Sequence, residues 1–188
     1  MPNRLVLLEE DQIYHIYNRG VNKGKIFFSE NGYDFFVYKM AFHFRETSSV
    51  IAYCLMPNHF HILVQVKKSE FVRKSLQPFL IAYTLSVNKD QGRIGPLFQG
   101  RYQANLINDD AYLLDCVKYI HLNPVKGGLV KTPKAWKYSS YHEFISPNHR
   151  SFIESSFIMR FFENLREFIS FSESEIEEDK TTRFFDYE

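Results

Sequence analysis

Residues 56–64 read Met56-Pro57-Asn58-His59-Phe60-His61-Ile62-Leu63-Val64. The Pro57-Asn58 step predicts a turn, and the apolar run after it predicts a β-strand that forms a hairpin with the strand before the turn. Successive side chains of a strand point to opposite faces, so His59 and His61 share one face and Phe60 lies on the other. Two neutral imidazoles side by side can hold one metal ion, although a half-buried structural pair would give the same pattern.

The residues on either side of this hairpin predict alternating strands and helices. Short aromatic and β-branched runs predict strands, and apolar residues at helical spacing behind a capping residue predict helices. Pro78 should kink or split the second helix, and the Asn123-Pro124 step should end the third. The predicted strands are 14–20, 50–56, 59–66 and 102–107, and the predicted helices are 33–45, 70–88 and 111–122.

This order of elements predicts an α+β fold, in which helices pack on one face of an antiparallel sheet related to the ferredoxin-like arrangement. We expect one main domain over residues 1–150 and an acidic C-terminal extension, partly helical, over 151–188. In the extension, 152–171 predicts one or two amphipathic helices, and the acidic run 173–179 predicts a loosely ordered segment. The segment 133–141 holds the single Trp and predicts a compact wrap.

The charge of the chain is unevenly distributed. The formal net charge is +1, but residues 151–188 hold 4 basic and 10 acidic side chains, so residues 1–150 carry a net charge of +7. A basic body permits a polyanionic partner such as a nucleic acid. The aromatic content of 17% exceeds what a core of this size needs, so some rings could stack on a ligand.

The two cysteines and the absence of long apolar runs indicate the compartment. Cys54 and Cys116 have no metal-binding spacing and predict free buried thiols rather than a disulfide. The N-terminal residues show no signal-peptide pattern, and no window approaches twenty apolar residues. We therefore expect a soluble, cytoplasmic protein with no membrane partner.

The third predicted helix carries groups that could complete a site beside the two histidines. Tyr119 and Asn123 are four residues apart, so a phenol and a carboxamide lie on one helical face. Tyr112 shares this face, and only the nearby carboxamide favours Tyr119 as the reactive tyrosine. If the face packs against the histidines, a divalent cation could polarise a phosphoryl oxygen while a phenolate attacks phosphorus. An edge-of-core aromatic and a helix stop would explain the same residues.

Four separated segments carry motifs in a fixed order, followed by Trp-Lys-Tyr-Ser-Ser at 136–140. They are Tyr-His-Ile-Tyr-Asn-Arg-Gly at 14–20, Met-Pro-Asn-His-Phe-His at 56–61, Gly-Pro-Leu-Phe-Gln-Gly-Arg-Tyr at 95–102 and Tyr-Ile-His-Leu-Asn-Pro-Val-Lys-Gly-Gly-Leu-Val at 119–130. Together they resemble the REP-associated tyrosine transposases. These belong to the single-tyrosine HUH superfamily (histidine, hydrophobic residue, histidine), with insertion-sequence transposases, replication initiators and relaxases.

The resemblance implies a ferredoxin-like HUH core with the histidine pair on a central strand. By position, His59 and His61 would be metal ligands, and Asn123 would be the third ligand where related insertion-sequence enzymes use Gln. Tyr119 would be the nucleophile that takes a 5′-phosphate and frees a 3′-OH. Mg²⁺ or Mn²⁺ would be the working ion, and the substrate would be single-stranded DNA beside a hairpin, with no nucleotide cofactor.

The DNA-binding candidates lie where cations and rings occur together. Cations neutralise phosphates and rings stack on unpaired bases, which makes the loop 21–25 and the segment 98–102 the best candidates. Phe98 and Tyr102 could equally be core residues. The candidate residues are Arg19, Lys23, Lys25, Phe98, Gln99, Arg101 and Tyr102.

The sequence therefore predicts a metal-dependent DNA transposase that cleaves and rejoins single strands through a phosphotyrosine intermediate at hairpins or repeats. One alternative is a domesticated single-stranded DNA-binding protein without catalysis. Another is a metal-dependent hydrolase that uses water, for which His59 and His61 suffice. The C-terminal extension favours a monomer over a dimer.

Overall fold

The strands and helices follow the predicted order in the computed structural model, which describes residues 8–146 and 152–174. The strands are β1 (Ile13–Arg19), β2 (Ser48–Met56), β3 (His59–Val66) and β4 (Gln103–Ile107). The helices are α1 (Glu30–Phe44), α2 (Gln77–Asp90), α3 (Asp110–Lys126), α4 (Tyr141–Ile145), α5 (Ser156–Met159) and α6 (Leu165–Glu173). All strand pairs are antiparallel and the sheet order is β2-β3-β1-β4. This confirms the predicted α+β, ferredoxin-like arrangement.

The alternation of side chains in β3 gives the sheet two different faces. The Phe60 ring lies 5.2 Å from the Phe36 ring of α1, and the Phe36 ring lies 4.7 Å from the Phe79 ring of α2. Helices α1 and α2 therefore cover the face of the sheet that bears Phe60. The His61 ring lies on the other face, 5.5 Å from the ring of Tyr119 in α3. The prediction that the helices pack on one face is therefore wrong, because α3 covers the face that bears the histidines.

Aromatic rings build the core between the sheet and the first two helices. Fully buried rings there include Phe36, Phe44, Phe60, Phe79 and Tyr83. Phe36 meets Phe79 and Tyr83 edge to face, with centroids 4.7 and 4.8 Å apart, an arrangement that aromatic pairs prefer. Burial of each such side chain contributes about 1.5–3 kcal/mol. Much of the high aromatic content therefore serves packing rather than ligand binding.

Helix α3 does not end at the Asn123-Pro124 step, which corrects the prediction from sequence. It continues to Lys126 with Pro124 inside it. Proline removes one main-chain donor, but Asn123 and Pro124 are buried, and the Gly127 N–H donates to the Asn123 carbonyl at 2.8 Å. Tertiary packing outweighs the missing bond, so Asn123 keeps its helical position one turn after Tyr119.

The second predicted helix is divided at Pro78, as expected. A π-helical turn covers Val72–Leu76, and α2 then begins with Pro78 in its first turn, where no N–H is needed. In the extension, one or two helices were predicted over 152–171, and the structure has two, α5 and α6. The acidic run beyond Ser174 lies outside the described residues, and the domain boundary at residue 150 stays a prediction.

The segment 133–141 fastens the end of β2 to α1. The Trp136 indole donates to the Leu55 carbonyl at 3.1 Å, and the Tyr138 ring stacks on Tyr33 at 3.7 Å. The predicted wrap around the single Trp is therefore confirmed.

Two expectations from composition can be compared with the described residues. Cys54 and Cys116 are both free and buried, as predicted. Within residues 8–146 and 152–174, the structure has no helix long and apolar enough to cross a membrane.

The loop after β1 holds the turn that precedes His59. The Gly20 N–H donates to the Asn58 carbonyl at 2.8 Å. In the same loop Asn22 and Lys23 adopt left-handed backbone, with φ of 54° and 56°, although neither is glycine. Such residues store strain of about 1–3 kcal/mol each where the surrounding structure enforces them. The hydrogen bond between Gly20 and Asn58 therefore links this strained loop to the turn that precedes His59.

Gly20→Ala should destabilise the protein by about 1–3 kcal/mol, because a Cβ at this position would overlap the Gly24 carbonyl oxygen. Urea unfolding at neutral pH measures this loss. Gly32→Ala in α1 is the matched control, since its Cβ would meet only ordinary contacts, the nearest at 3.7 Å. It should leave stability unchanged or raise it by up to about 1 kcal/mol. Equal effects of the two variants would contradict the steric argument.

Candidate active site

The candidate site lies on the face of β1 and β3 that α3 covers. In the antiparallel pairing, Tyr17 lies opposite His61 and Arg19 lies opposite His59. Opposite residues of an antiparallel pair project to the same face. By the same alternation His15, Tyr17 and Arg19 share the face of the histidine pair. The pairing of these strands therefore gathers five polar side chains on one surface.

The two ring nitrogens of His59 have different partners. Nδ1 lies 2.8 Å from Asn58 Oδ1, and Nε2 lies 3.2 Å from Asn123 Oδ1. The Asn58 amide nitrogen donates to the Lys23 carbonyl at 3.3 Å, which orients its oxygen towards His59. His59 therefore donates from Nδ1, so that the lone pair of Nε2 faces the oxygen of Asn123.

Two acceptor atoms that face each other at 3.2 Å fit a shared cation. Adjacent ligands of an octahedral ion with bonds of about 2.1 Å lie about 3.0 Å apart. The amide nitrogen of Asn123 is buried and has no partner within the described residues. If the oxygen and nitrogen of the Asn123 amide exchanged places, the amide N–H would donate to Nε2 of His59. This second arrangement would suit a site that holds no ion.

His61 is fully buried between two other rings of the site. Its Nδ1 lies 2.9 Å from Nε2 of His15, and its ring stacks on those of His15 and Tyr17 at 5.1 and 5.9 Å. The pKa of His61 is held well below its usual range, mainly by burial and to a lesser extent by the neighbouring His59 and His15. Burial alone lowers the pKa of His15 to about 3. Both imidazoles are therefore neutral at physiological pH.

The structure packs the face of α3 that bears Tyr119 against the histidine pair, a contact that the sequence analysis left as a condition. Its ring meets His61 edge to face at 5.5 Å and His15 at 6.3 Å, and the Lys126 ammonium lies 5.5 Å from the ring centroid. Tyr112 lies in the first turn of α3, about 10 Å away along the helix axis. This placement favours Tyr119 over Tyr112. The Tyr119 side chain is fully buried, so the structure around it must open before a ligand can reach its hydroxyl.

The predicted DNA-binding residues separate into two groups. On the site face, the Arg19 Nε donates to Gln99 Oε1 at 2.8 Å, which holds the guanidinium beside His59. Lys23 and Lys25 are exposed in the adjoining loop. These four side chains can meet a phosphate backbone that approaches the histidine pair.

The other group lies on the opposite side of the sheet, next to α2. Phe98 is only 8% exposed and its ring lies 5.7 Å from Phe60, which favours the core-packing alternative for this residue. Arg101 and Tyr102 line a groove of about 550 Å³ between α2 and the segment 98–102. The Tyr102 hydroxyl is buried there without a partner among the described residues.

Sequence reasoning missed three residues of the site. The alternation of β1 could have placed His15 on the face of Tyr17, but only the pairing with β3 shows that it reaches His61. Asn58 was assigned to a turn, and nothing in the sequence indicates that its oxygen accepts from His59. Lys126 lies beyond the predicted end of the third helix, so helical spacing did not place its ammonium beside Tyr119.

The donor set available for a metal is small. Within the described residues, no group of three or more His, Cys, Asp or Glu side chains is arranged to hold a metal ion. A cation would have two imidazole nitrogens, of His59 and His61, and the carboxamide oxygen of Asn123. Water and substrate would fill the other positions, as is usual for a catalytic ion.

The ferredoxin-like sheet, the histidine pair and the tyrosine-bearing helix are the arrangement that the motifs predict for tyrosine transposases of the HUH class. Residues 10–123 match the family of IS200-like transposases, so the chain belongs to this family.

One relative and one solved structure refine the comparison. The sequence is 32% identical over 108 residues to a Haemophilus influenzae protein named for the REP-associated tyrosine transposases. That match covers 49% of this chain and 58% of the relative, so the chain matches little more than half of the relative's length. A REP-associated tyrosine transposase solved with a REP hairpin aligns with a TM-score of 0.63 over 81% of this chain and 90% of that one. The two sequences are 16% identical, so this similarity shows that the two chains share a fold.

Acidification should destabilise the protein through its buried histidines. Burial lowers the pKa of His15 and of His121 to about 3, whereas the unfolded chain takes up protons at these rings below about pH 6.5. Their stabilisation is complete above pH 6.5 and is lost as the pH falls towards 3, by about 1.4 kcal/mol per pH unit for each ring.

The His121→Gln variant can keep the hydrogen bond to Ser140. Between pH 7.5 and 5 its free energy of unfolding should therefore fall by about 2 kcal/mol less than that of the wild type. Urea unfolding at the two pH values measures the difference. An identical pH dependence of the variant and the wild type would show that His121 is protonated in the folded protein.

Proposed function

We propose that the chain is a metal-dependent, single-tyrosine DNA transposase, which cleaves and rejoins single strands at hairpin or repeat sequences through a 5′-phosphotyrosine. The observation that carries this proposal is the placement of Tyr119 against His61, with Asn123 facing His59 from the same helix. Membership of the IS200-like transposase family supports the reaction class. The relative named for REP-associated transposases supports a repeat substrate, and a REP hairpin is the DNA bound in the solved structure of similar fold.

The residues fit a divalent cation, Mg²⁺ or Mn²⁺. Nε2 of His59, Nε2 of His61 and Oδ1 of Asn123 would hold it, and open positions would remain for the substrate. When bound, such an ion polarises a phosphoryl oxygen and stabilises the charge that develops during displacement at phosphorus.

Tyr119 supplies the covalent step of the proposed reaction. Its hydroxyl loses a proton and attacks the scissile phosphorus, the P–O3′ bond breaks, and the departing oxygen takes a proton to become a free 3′-OH. The phosphodiester is thereby exchanged for a phosphotyrosine, so attack by another 3′-OH rejoins the strand without an energy source. The Lys126 ammonium, 5.5 Å from the ring centroid, places a positive charge beside the proposed nucleophile.

We infer that one chain supplies the whole site. Helix α3 packs against β2 and β3 of its own sheet and sets Tyr119 against His61. This supports a monomer as the active form. Because Tyr119 is buried, the proposal requires that DNA binding displace α3 enough to admit a phosphate.

The DNA would contact both groups of candidate residues. Arg19, Lys23, Lys25 and Gln99 would meet phosphates beside the histidine pair. The groove that Arg101 and Tyr102 line is mainly apolar, and it offers a ring face and a cation to an unpaired base.

A single-stranded DNA hairpin with a 3′ label separates the proposed reaction from its alternatives. Cleavage in Mn²⁺ should leave the 5′-phosphate on Tyr119, so the label should migrate with the protein on a denaturing gel. Tyr119→Phe should abolish the adduct, because it removes the hydroxyl that is proposed to attack phosphorus. Tyr112→Phe is the matched control from the same helix and should keep the adduct.

The other outcomes of this experiment point to the alternative functions. Cleavage without an adduct would indicate a hydrolase that uses water. An adduct that survives in Tyr119→Phe and disappears in Tyr112→Phe would assign the other tyrosine. DNA binding without cleavage of any hairpin would indicate a binding protein. His59→Ala should lose cleavage and keep most of the DNA affinity.

Arg19→Gln should weaken the binding of single-stranded DNA and make it less dependent on salt. Each phosphate contact on a single strand contributes about 0.7 to the slope of log K against log salt concentration, so the loss of one contact should reduce the slope by about 0.7. Fluorescence anisotropy over a salt series measures both effects. Arg45→Gln is the control, because Arg45 lies at the end of α1 beside Glu46 and should leave the slope unchanged. A slope that Arg19→Gln leaves unaltered would exclude Arg19 from the phosphate path.

A further inference from the structure

His15 is a fully buried imidazole beside the proposed metal site that the chemistry above does not use. Its Nε2 lies 2.9 Å from Nδ1 of His61, a hydrogen-bonding distance between two side chains without exposed surface. The Tyr17 ring stacks on both imidazoles, at 4.9 Å from His15 and 5.9 Å from His61. This packing fixes the position of the two rings relative to each other.

The hydrogen bond between the two rings has two possible directions. A neutral imidazole has one donor and one acceptor nitrogen, so one ring must donate and the other must accept. If His61 donates from Nδ1, its Nε2 keeps a lone pair and can bind a cation. If His15 donates instead, Nε2 of His61 carries the proton and cannot be a ligand. The direction of this one bond decides whether the pair can bind metal.

The neighbouring histidine indicates which ring nitrogen the pair turns towards the proposed ion. Asn58 accepts from Nδ1 of His59, because the amide nitrogen of Asn58 is committed to the Lys23 carbonyl. Nε2 of His59 is therefore the nitrogen that faces Asn123. Nδ1 of each histidine already faces a polar group, Asn58 for His59 and His15 for His61, so Nε2 is the nitrogen that each ring can present to a shared ion.

We propose that His15 is a positioning residue, whose Nε2 accepts the Nδ1 proton of His61 and thereby keeps Nε2 of His61 available to a divalent cation. This inference rests on the proposed metal site. Groups in this position fix the orientation and tautomer of a ligand histidine, and their removal usually lowers metal affinity about 10- to 100-fold. A neutral acceptor does this in a buried position without adding a charge that would need its own partner.

The tautomer of His61 can be measured without metal and without activity. Long-range ¹H–¹⁵N correlation spectra of the ¹⁵N-histidine-labelled wild type distinguish a protonated from an unprotonated ring nitrogen, and a His61→Gln spectrum assigns the signals. We expect His61 to be protonated at Nδ1 and His15 to be unprotonated at Nε2. The opposite pattern, with the proton on Nε2 of His61, would overturn the proposal.

Mn²⁺ affinity, measured by titration calorimetry on the full chain, tests the consequence. His15→Phe keeps a ring and removes the acceptor, so it should weaken Mn²⁺ binding about tenfold or more. His15→Gln places an amide oxygen near the position of Nε2 and should restore most of the affinity. His121→Phe is the control for the loss of a buried imidazole elsewhere on the protein and should bind Mn²⁺ as the wild type does.

The two measurements separate this proposal from the proposed function. An unchanged Mn²⁺ affinity in His15→Phe would overturn the role of His15 and leave the metal site intact. A wild type that binds no Mn²⁺ would contradict the metal-dependent function, while the spectra would still decide the direction of the bond. If His15→Phe does not fold, the wild-type spectra and His15→Gln remain decisive: Nδ1 protonation of His61 in both supports the proposal, and its absence in the wild type refutes it.

Discussion

The antiparallel register of β1 against β3 places Tyr17 opposite His61 and Arg19 opposite His59. Because the side-chain period of a strand is two, a slip of one residue would turn every side chain of β1 to the other face. His15 would then enter the core beneath α1 and α2, where a polar ring has no partner. Tyr14 and Ile16 are buried and, by alternation, lie on that side, so their packing specifies the register. The site therefore depends on the packing of the opposite face.

Helix α3 combines two demands that would be in conflict in a solvent-exposed helix. Asn123 must stay in helical geometry to face His59, yet the next residue is a proline that removes a main-chain bond. Burial of this turn makes the loss tolerable. Buried polar groups in a medium of low dielectric are costly unless they are paired, so the contacts of the histidines also hold α3 against the sheet. Stability and site geometry thus come from the same contacts.

Local patterns predicted those features that depend on the period of one element. Alternation placed His59 and His61 together, and the four-residue spacing placed Tyr119 with Asn123. Features that depend on contacts between distant segments were missed or wrong. The extension of α3 past Pro124 follows from burial, and the face that α3 covers follows from the sheet. Phe98 was assigned to DNA binding because its segment is rich in rings and cations, whereas its contact with Phe60 appears only in the fold.

If Tyr119 is the nucleophile, its burial makes cleavage conditional on the DNA that is bound. Moving a buried aromatic ring out of its packing costs about 1.5–3 kcal/mol, and the contact of Asn123 with His59 must loosen with it. Phosphate contacts at Arg19 and the loop lysines, and stacking in the groove beside α2, would have to offset that cost. A substrate that reaches both surfaces at once gains both contributions, and a substrate that reaches one surface gains only one. The enclosed tyrosine would then give specificity through the opening of the site rather than through direct reading of bases.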